Sequence, residues 1–393
     1  YKLPRLLHNG NSWFAVERTN AQKGTHVDFE GLIADRMSVI ESSGIRKVFD
    51  LAAKLENPIN LSIGQPDFDV PEQVREAAVD AIRSGRNKYT VTQGIPELRR
   101  AILEREKSET DIRHDGVFIT SGVSGGLLLS FMALLNEGDE ILIPDPYFVM
   151  YKHLVRLLGA VPRFVNTYPD HRLTVERLEQ TATDKTKVLL VNSPANPTGI
   201  VLRDDELKAI AEWAEQRNIF IISDEIYRVF CYEGTCPSIA RHTENVMLLS
   251  GFSKNAAMTG WRVGYAIGPE PVINEMIKLQ QFTFVCSPAP AQYAALAVLD
   301  VDSTPYLEAY RRKRDIIYGG LRDTFELNKP EGAFYTFVKA PGGDATEFVK
   351  KAIDHNVLII PGNVFSEQNT HFRIAYTATD EMLEKGVDVL TRL

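Results

Sequence analysis

Five short segments hold side chains whose types and spacing can do chemistry. SGFSKNAAMTGWRVG (250–264) sets Ser250, Ser253, Lys254 and Arg262 among small residues. A ligand can approach a lysine closely in such surroundings, although a solvated loop lysine is the commoner case for any single Lys. Asp224 closes an apolar run, IFIISD (219–224), with Glu225 and Tyr227 just after it. Buried, that carboxylate needs a cationic partner; as a helix N-cap or a surface acid it needs none. The turn TSGVSGG (120–126) has glycines that let free N–H groups at a helix start face an anion. It is neither a G-x-x-x-x-G-K-[ST] nor a G-x-G-x-x-G loop, and a plain strand-to-helix turn accounts for it equally well. NSPANPTG (192–199) is a turn by composition that also offers the Asn196 amide. Arg373 sits inside the apolar run HFRIAY (371–376). Its guanidinium fork needs an anion there, either an internal carboxylate or that of a ligand.

Groups so far apart in sequence meet only if the fold collects them. VFIT (117–120), EILIP (140–144), KVLLVN (187–192), IFIISD, VMLLS (246–250) and VGYAIG (263–268) read as buried strands. Helical patterns such as Ser124–Leu135 and Asp204–Arg217 lie between several of them, with Asp204 and Asp205 suited to an N-cap and first turn. Continuous apolar strands alternating with helices predict an α/β fold with a mainly parallel sheet covered on both faces. Ligands of such sheets bind beyond the C-terminal strand ends. Past about residue 300 the pattern becomes a smaller α+β layer. It comprises a charged helix at 305–327, a strand at 332–338, a helix at 345–355 and strands at 357–362 and 371–376. Residues 1–60 are expected to form an N-terminal arm and part of that small domain, 61–300 the large domain, and 301–393 the small C-terminal domain. Within the first of these, Ile45, Val48, Phe49, Ala52 and Leu55 have helical spacing, and INLSIGQPDF (59–68) reads as a short strand.

Composition excludes several classes. The 393 residues are 44% hydrophobic and 24% charged, as in ordinary globular proteins, and the length suggests about two to three domains. Net charge is −8, which argues against non-specific nucleic-acid binding. The three cysteines (Cys231, Cys236, Cys286) form no C-x-x-C pair, so neither a disulfide framework nor a zinc site is expected and a reducing, cytoplasmic setting fits. The histidines are scattered without H-E-x-x-H spacing, and no metal is expected. The longest apolar stretch, residues 125–135, is too short to span a bilayer, and the first 20 residues lack signal-peptide organisation.

In their order, LSIGQPDF (61–68), NKYT (87–90), PDPYF (144–148), NSPANPTG, SDEIY (223–227), SKNAAMTGWRVGY (253–265) and FRIAY (372–376) resemble the class I aminotransferases. These are the fold-type-I pyridoxal 5′-phosphate enzymes of the aspartate aminotransferase superfamily. The resemblance runs from about residue 35 to the C-terminus, with Asp224 thirty positions before Lys254. It implies a large domain with a mainly parallel seven-stranded sheet, a smaller α+β domain, and an amino transfer from an L-amino acid to a 2-oxo acid by a ping-pong mechanism. Lys254 would form the Schiff base with the cofactor and later move the proton. Asp224 would keep the pyridine nitrogen protonated, so that the ring acts as an electron sink. Tyr227 and Asn196 would hydrogen-bond the ring's phenolic oxygen, and Phe148 would stack on its face. Gly122, Val123 and Ser124 would hold the phosphate, closed by Arg262 and either Ser250 or Ser253. Tyr89 would reach the phosphate of a neighbouring subunit, which implies a homodimer. Arg373 would bind the substrate α-carboxylate, with Asn196 and Gly64 against the substrate. Ser124 stands where prokaryotic-type aspartate enzymes often carry a lysine, Phe148 where tryptophan is usual, and no second substrate arginine is identifiable. A neutral donor, small or aromatic, with 2-oxoglutarate or pyruvate as acceptor, follows as the expectation. A lyase performing C–S cleavage or β/γ-elimination is the alternative on the same fold. A non-catalytic ligand-sensing module fits less well, because no winged-helix segment is evident in residues 1–30.

Overall fold

Alternation within the apolar runs builds the large sheet. In the strands Thr186–Asn192 and Phe220–Asp224, Leu189, Val191 and Ile221 face one hydrophobic cluster while Val188, Leu190 and Ile222 face another, so both sides of the strands are buried. The computed structural model describes residues 27–41, 44 and 55–393. Residues 1–26, and all but the last residue of the helix expected at 45–55, lie outside them.

The strands are β1 (Ile59–Asn60), β2 (Gly116–Thr120), β3 (Glu140–Asp145), β4 (Val161–Asn166), β5 (Thr186–Asn192), β6 (Phe220–Asp224), β7 (Val246–Gly251), β8 (Gly264–Gly268), β9 (Tyr335–Lys339), β10 (Val357–Leu358), β11 (Ile360–Pro361) and β12 (His371–Ala375). Seven of them form one sheet in the order β2-β8-β7-β6-β5-β3-β4. All neighbours are parallel except β8, which runs antiparallel to β2 and β7. The expected mainly parallel sheet is therefore mixed at one side. The connection from β7 to β8 is a compact loop rather than a helical crossover, so the chain turns back. That loop carries Lys254. The seventh strand, β4, is not among the six apolar runs. It is an edge strand with Pro162, Arg163 and an exposed Val161, and an edge strand needs no continuous apolar sequence.

The smaller layer packs the three-stranded antiparallel sheet β11-β12-β9 against the helices Thr304–Leu321, Ala345–Asp354 and Asp380–Leu390. β1 pairs in parallel with β10, Ile59 opposite Val357, and Leu61 is buried in the same cluster as Phe334, Phe372 and Ile374. Residues 59–61 thus join elements three hundred positions downstream, and the segment that follows is delivered to the boundary between the two layers.

Several elements differ from their sequence reading. INLSIGQPDF is a strand for two residues only, because Gly64 and Pro66 turn it away. The helix expected at 305–327 spans Thr304–Leu321. VLIIPG divides between β10 and β11, each pairing with a different sheet. The N-cap of the helix Asp204–Gln216 is Arg203, not Asp204. Glu206 accepts the Arg203 backbone N–H at 2.7 Å, and Asp204 and Asp205 fill the first turn. Among the described residues no helix is long and apolar enough to cross a membrane.

Ile222 lies fully buried at the middle strand of the sheet. Ile222→Ala should destabilise the protein by about 2–5 kcal/mol, read from chemical denaturation, since the close-packed strands cannot collapse onto the void.

Candidate active site

β5, β6 and β7 end side by side, with Asn192 opposite Asp224 and Asp224 opposite Leu249. The turn after β5, the residues after β6 and the loop after β7 therefore share one sheet edge. The helix Gly122–Leu134 starts at the same edge, and the 62–66 segment, β9 and β12 cover it from the smaller layer. A cavity of about 320 Å³ lies between them.

Asp224 lines this cavity and is 3% exposed. Its Oδ2 accepts the Tyr151 hydroxyl at 2.8 Å and its Oδ1 accepts the Ile226 N–H at 3.2 Å. Among the described residues no Lys or Arg makes an ion pair with it. Burial pushes this carboxyl up to about 6, against the pull of its hydrogen bonds. The cationic partner that a buried carboxylate calls for must come from the cavity. Lys254 projects into the same space, and its Nζ donates to the Gly64 carbonyl at 2.8 Å. Burial, then Arg373 and Arg262, bring its amine down to about 8, with Asp224 opposing them.

Arg373 comes from β12 and is 2% exposed. It donates to Asn196 Oδ1 at 3.1 Å and to the Ser62 carbonyl at 2.7 Å, and its Nε has no partner. Its guanidinium lies 4.6 Å from the Tyr335 ring centre and 4.4 Å from that of Phe365. No carboxylate neutralises it among the described residues. The internal ion pair left open by the sequence is not formed among the described residues, and Arg373 lines the cavity with a fork whose geometry suits an anion.

A glycine and an arginine meet at the helix start. Gly122 has φ +64°, and a Cβ there would come within 2.5 Å of Arg262 Nη2. Glycine is thus what allows backbone and guanidinium to approach. Arg262, itself at φ +57°, donates to the Thr259 carbonyl at 2.9 Å, which sets its direction. Val123, Ser124 and Ser253 line the cavity here. Of the two serines, Ser250 is turned towards the Glu225 carbonyl, 3.4 Å away, and does not line the cavity. Phe148 forms a wall, edge-on to Tyr151. Tyr227 is buried opposite, with its hydroxyl 2.9 Å from that of Tyr335.

Gly64, Val123, Ser124, Phe148, Asn196, Asp224, Tyr227, Ser253, Lys254, Arg262 and Arg373 therefore meet in one cavity, and Gly122 adjoins it. Tyr89 does not: it is 84% exposed and outside it. Sequence reasoning missed Tyr151 and Tyr335. Tyr151 stands one helical turn after Phe148, a readable spacing, whereas Tyr335 within GAFYTF has the pattern of any core aromatic. The residues present fit pyridoxal 5′-phosphate. A buried carboxylate without a cation suits its ring nitrogen, an easily neutralised lysine its aldehyde, and a glycine-and-arginine cup its phosphate.

The family model for aminotransferase class I and II matches residues 56–390. The chain is 38% identical to a probable aspartate aminotransferase of Methanocaldococcus jannaschii, over 92% of this chain and 100% of that one. It is 37% identical to aromatic-amino-acid aminotransferase 2 of Thermococcus litoralis, over 92% and 98%. The solved structure of Thermus thermophilus aspartate aminotransferase with maleate is 33% identical, with a TM-score of 0.88 over 92% of this chain and 99% of that one.

A lowered amine constant means that the neutral, nucleophilic form appears at lower pH. In the cofactor-free protein, Lys254 should react with an acylating reagent with a midpoint near pH 8, read by peptide mass spectrometry. A midpoint near 10.5, the ordinary lysine value, would contradict the enclosure described.

Proposed function

The chain belongs to the class I and II aminotransferase family and is an aminotransferase; on that premise we propose that it carries pyridoxal 5′-phosphate on Lys254 and transfers amino groups in two successive half-reactions. The observation that supports this most directly is the buried Asp224 carboxylate, with no ion-pair partner among the described residues, sharing a cavity with Lys254 and Arg373. When bound, the cofactor supplies an electron sink that makes the α-proton of an amino acid removable. The rest is done by the chain. Asp224 would hold the ring nitrogen protonated, and Tyr151 holds Asp224. Gly122, Val123, Ser124, Ser253 and Arg262 would seat the phosphate. Phe148 would cover the ring face, while Tyr227 and Asn196 would donate to the ring oxygen. Arg373 would grip the substrate α-carboxylate and so fix the α-carbon beside Lys254. Lys254 Nζ, neutral once displaced, would then take the α-proton from the substrate and pass it to the cofactor.

With Arg373, Arg262, Lys254 and Asp224 so engaged, the rest of the described lining is neutral, with Ile63, Gly64, Gln65 and Leu127 among it. This favours a neutral donor, small or aromatic, with 2-oxoglutarate or pyruvate as acceptor. The aromatic substrate named for the Thermococcus relative suits this lining. We also propose a homodimer in which the exposed Tyr89 reaches the partner's phosphate cup. The outward-facing Val91, Phe282 and Val285 support an interface. Three free cysteines favour a cytoplasmic setting.

Amino donors incubated with the loaded protein should yield oxo acids, with return of the original cofactor form on adding an acceptor. Release of pyruvate or ammonia without an acceptor would instead make it a lyase. Lys254→Ala should abolish turnover, a loss beyond the about 10²–10⁴-fold of a positioned base, while still retaining cofactor non-covalently. Arg373→Ala should raise KM for every amino donor alike by roughly 10- to 150-fold, the worth of charged hydrogen bonds. An effect confined to one donor would reassign Arg373 to side-chain recognition.

A further inference from the structure

We propose that Tyr335 is a positioning residue that aims the Tyr227 hydroxyl into the cavity and carries the Arg373 guanidinium on its ring, so that one side chain ties the substrate clamp to the cofactor's ring oxygen. The inference rests on the function proposed above. Tyr335 begins β9 in the smaller layer and is 1% exposed. Tyr227 follows β6 in the large sheet, and Gly64 lies in the segment between the layers. The Tyr335 hydroxyl is where these three segments meet. A Cβ at Gly64 would fall 2.0 Å from that oxygen, so the approach depends on the glycine.

Tyr335 Oη has two acceptors in reach, Tyr227 Oη at 2.9 Å and the Gly64 carbonyl at 3.4 Å. The longer distance is poor for an O–H···O bond, and the shorter one is ordinary. Either hydroxyl of the pair can be the donor; the proposed positioning has Tyr335 donate to Tyr227, the nearer of its two contacts. Tyr227 then cannot donate back along the same line, so its own proton is left to point into the cavity. A hydroxyl that accepts one hydrogen bond is also the stronger donor in the next. On its other side, the Tyr335 ring lies 4.6 Å from the Arg373 guanidinium, within cation–π range. Phe337, two residues on along β9, is opposite Arg373 in the sheet register, so the same strand supports both contacts.

The hydroxyl and the ring can be tested apart. A donor to the cofactor's ring oxygen competes for its charge with the proton on Lys254 Nζ, so a stronger donor lowers the pH at which Nζ loses that proton. Nζ is otherwise faced by Arg373, Arg262 and Asp224, with Tyr227 and Phe334 rings beside it, and Tyr335→Phe leaves all of these in place. In loaded Tyr335→Phe the pH midpoint of the cofactor's visible absorbance should rise by roughly half to one unit, the size of one neutral hydrogen bond. KM for the amino donor should stay unchanged. Tyr335→Leu, which also removes the ring, should in addition raise KM for all donors. In a Tyr227→Phe background, Tyr335→Phe should add no further shift. An unchanged midpoint in Tyr335→Phe, or an equal shift in the Tyr227→Phe background, overturns the proposal. A wild-type protein with no pH-dependent visible band overturns the underlying function instead.

Discussion

The site depends on a buried carboxylate that makes no ion pair with any Lys or Arg among the described residues. Asp224 ends the middle strand of the large sheet, and both its oxygens take hydrogen bonds from neutral groups. Left alone, such a group drifts towards its protonated form, as its raised constant shows. A cation bound next to it reverses the trend, because the attraction acts in a medium that screens poorly. On the proposed function, a protonated heterocycle beside Asp224 would turn the cost of its burial into affinity and polarisation. The seven-stranded sheet serves this arrangement: parallel neighbours bring Asn192, Asp224 and the Lys254 loop to one edge in register.

The cations of the cavity are arranged around that carboxylate without quenching it. Arg373 and Arg262 both line the cavity, and after burial itself they lower the proton affinity of Lys254. Each is held by carbonyl or amide oxygens rather than by acids: Asn196 and Ser62 for Arg373, Thr259 for Arg262. Neutral acceptors fix a guanidinium's direction while leaving its charge free for a ligand. Tyr227 and Tyr335, buried with their hydroxyls in contact, join the two layers at the same place.

Much of this is legible in the sequence, and for physical reasons. The buried strands are continuous apolar runs because both faces are covered, so β2, β3, β5, β6, β7 and β8 stand out, and the chemical residues follow their ends. β4 is silent because an edge strand with Pro162 and Arg163 carries no such run. Asp224, Lys254 and Arg373 are readable because a charge in or beside an apolar strand needs a reason. Tyr151 and Tyr335 are not, since a buried tyrosine is ordinary until its hydroxyl partner is known. The choice between Ser250 and Ser253 is likewise undecidable from spacing: three residues apart in a loop say nothing about which hydroxyl turns inward. Nor does composition announce that Arg373 has no carboxylate partner among the described residues, because that depends on long-range packing.

The proposed function requires that Asp224 keep the ring nitrogen of the bound cofactor protonated. Loading the protein with cofactor labelled with ¹⁵N at that atom and following its NMR shift with pH measures this directly. The account expects the shift of a protonated pyridine, unchanged as pH rises through neutrality to mildly alkaline values, and its loss in Asp224→Ala. A nitrogen in the native protein that titrates like the free cofactor, or that is unprotonated at neutral pH, would contradict it.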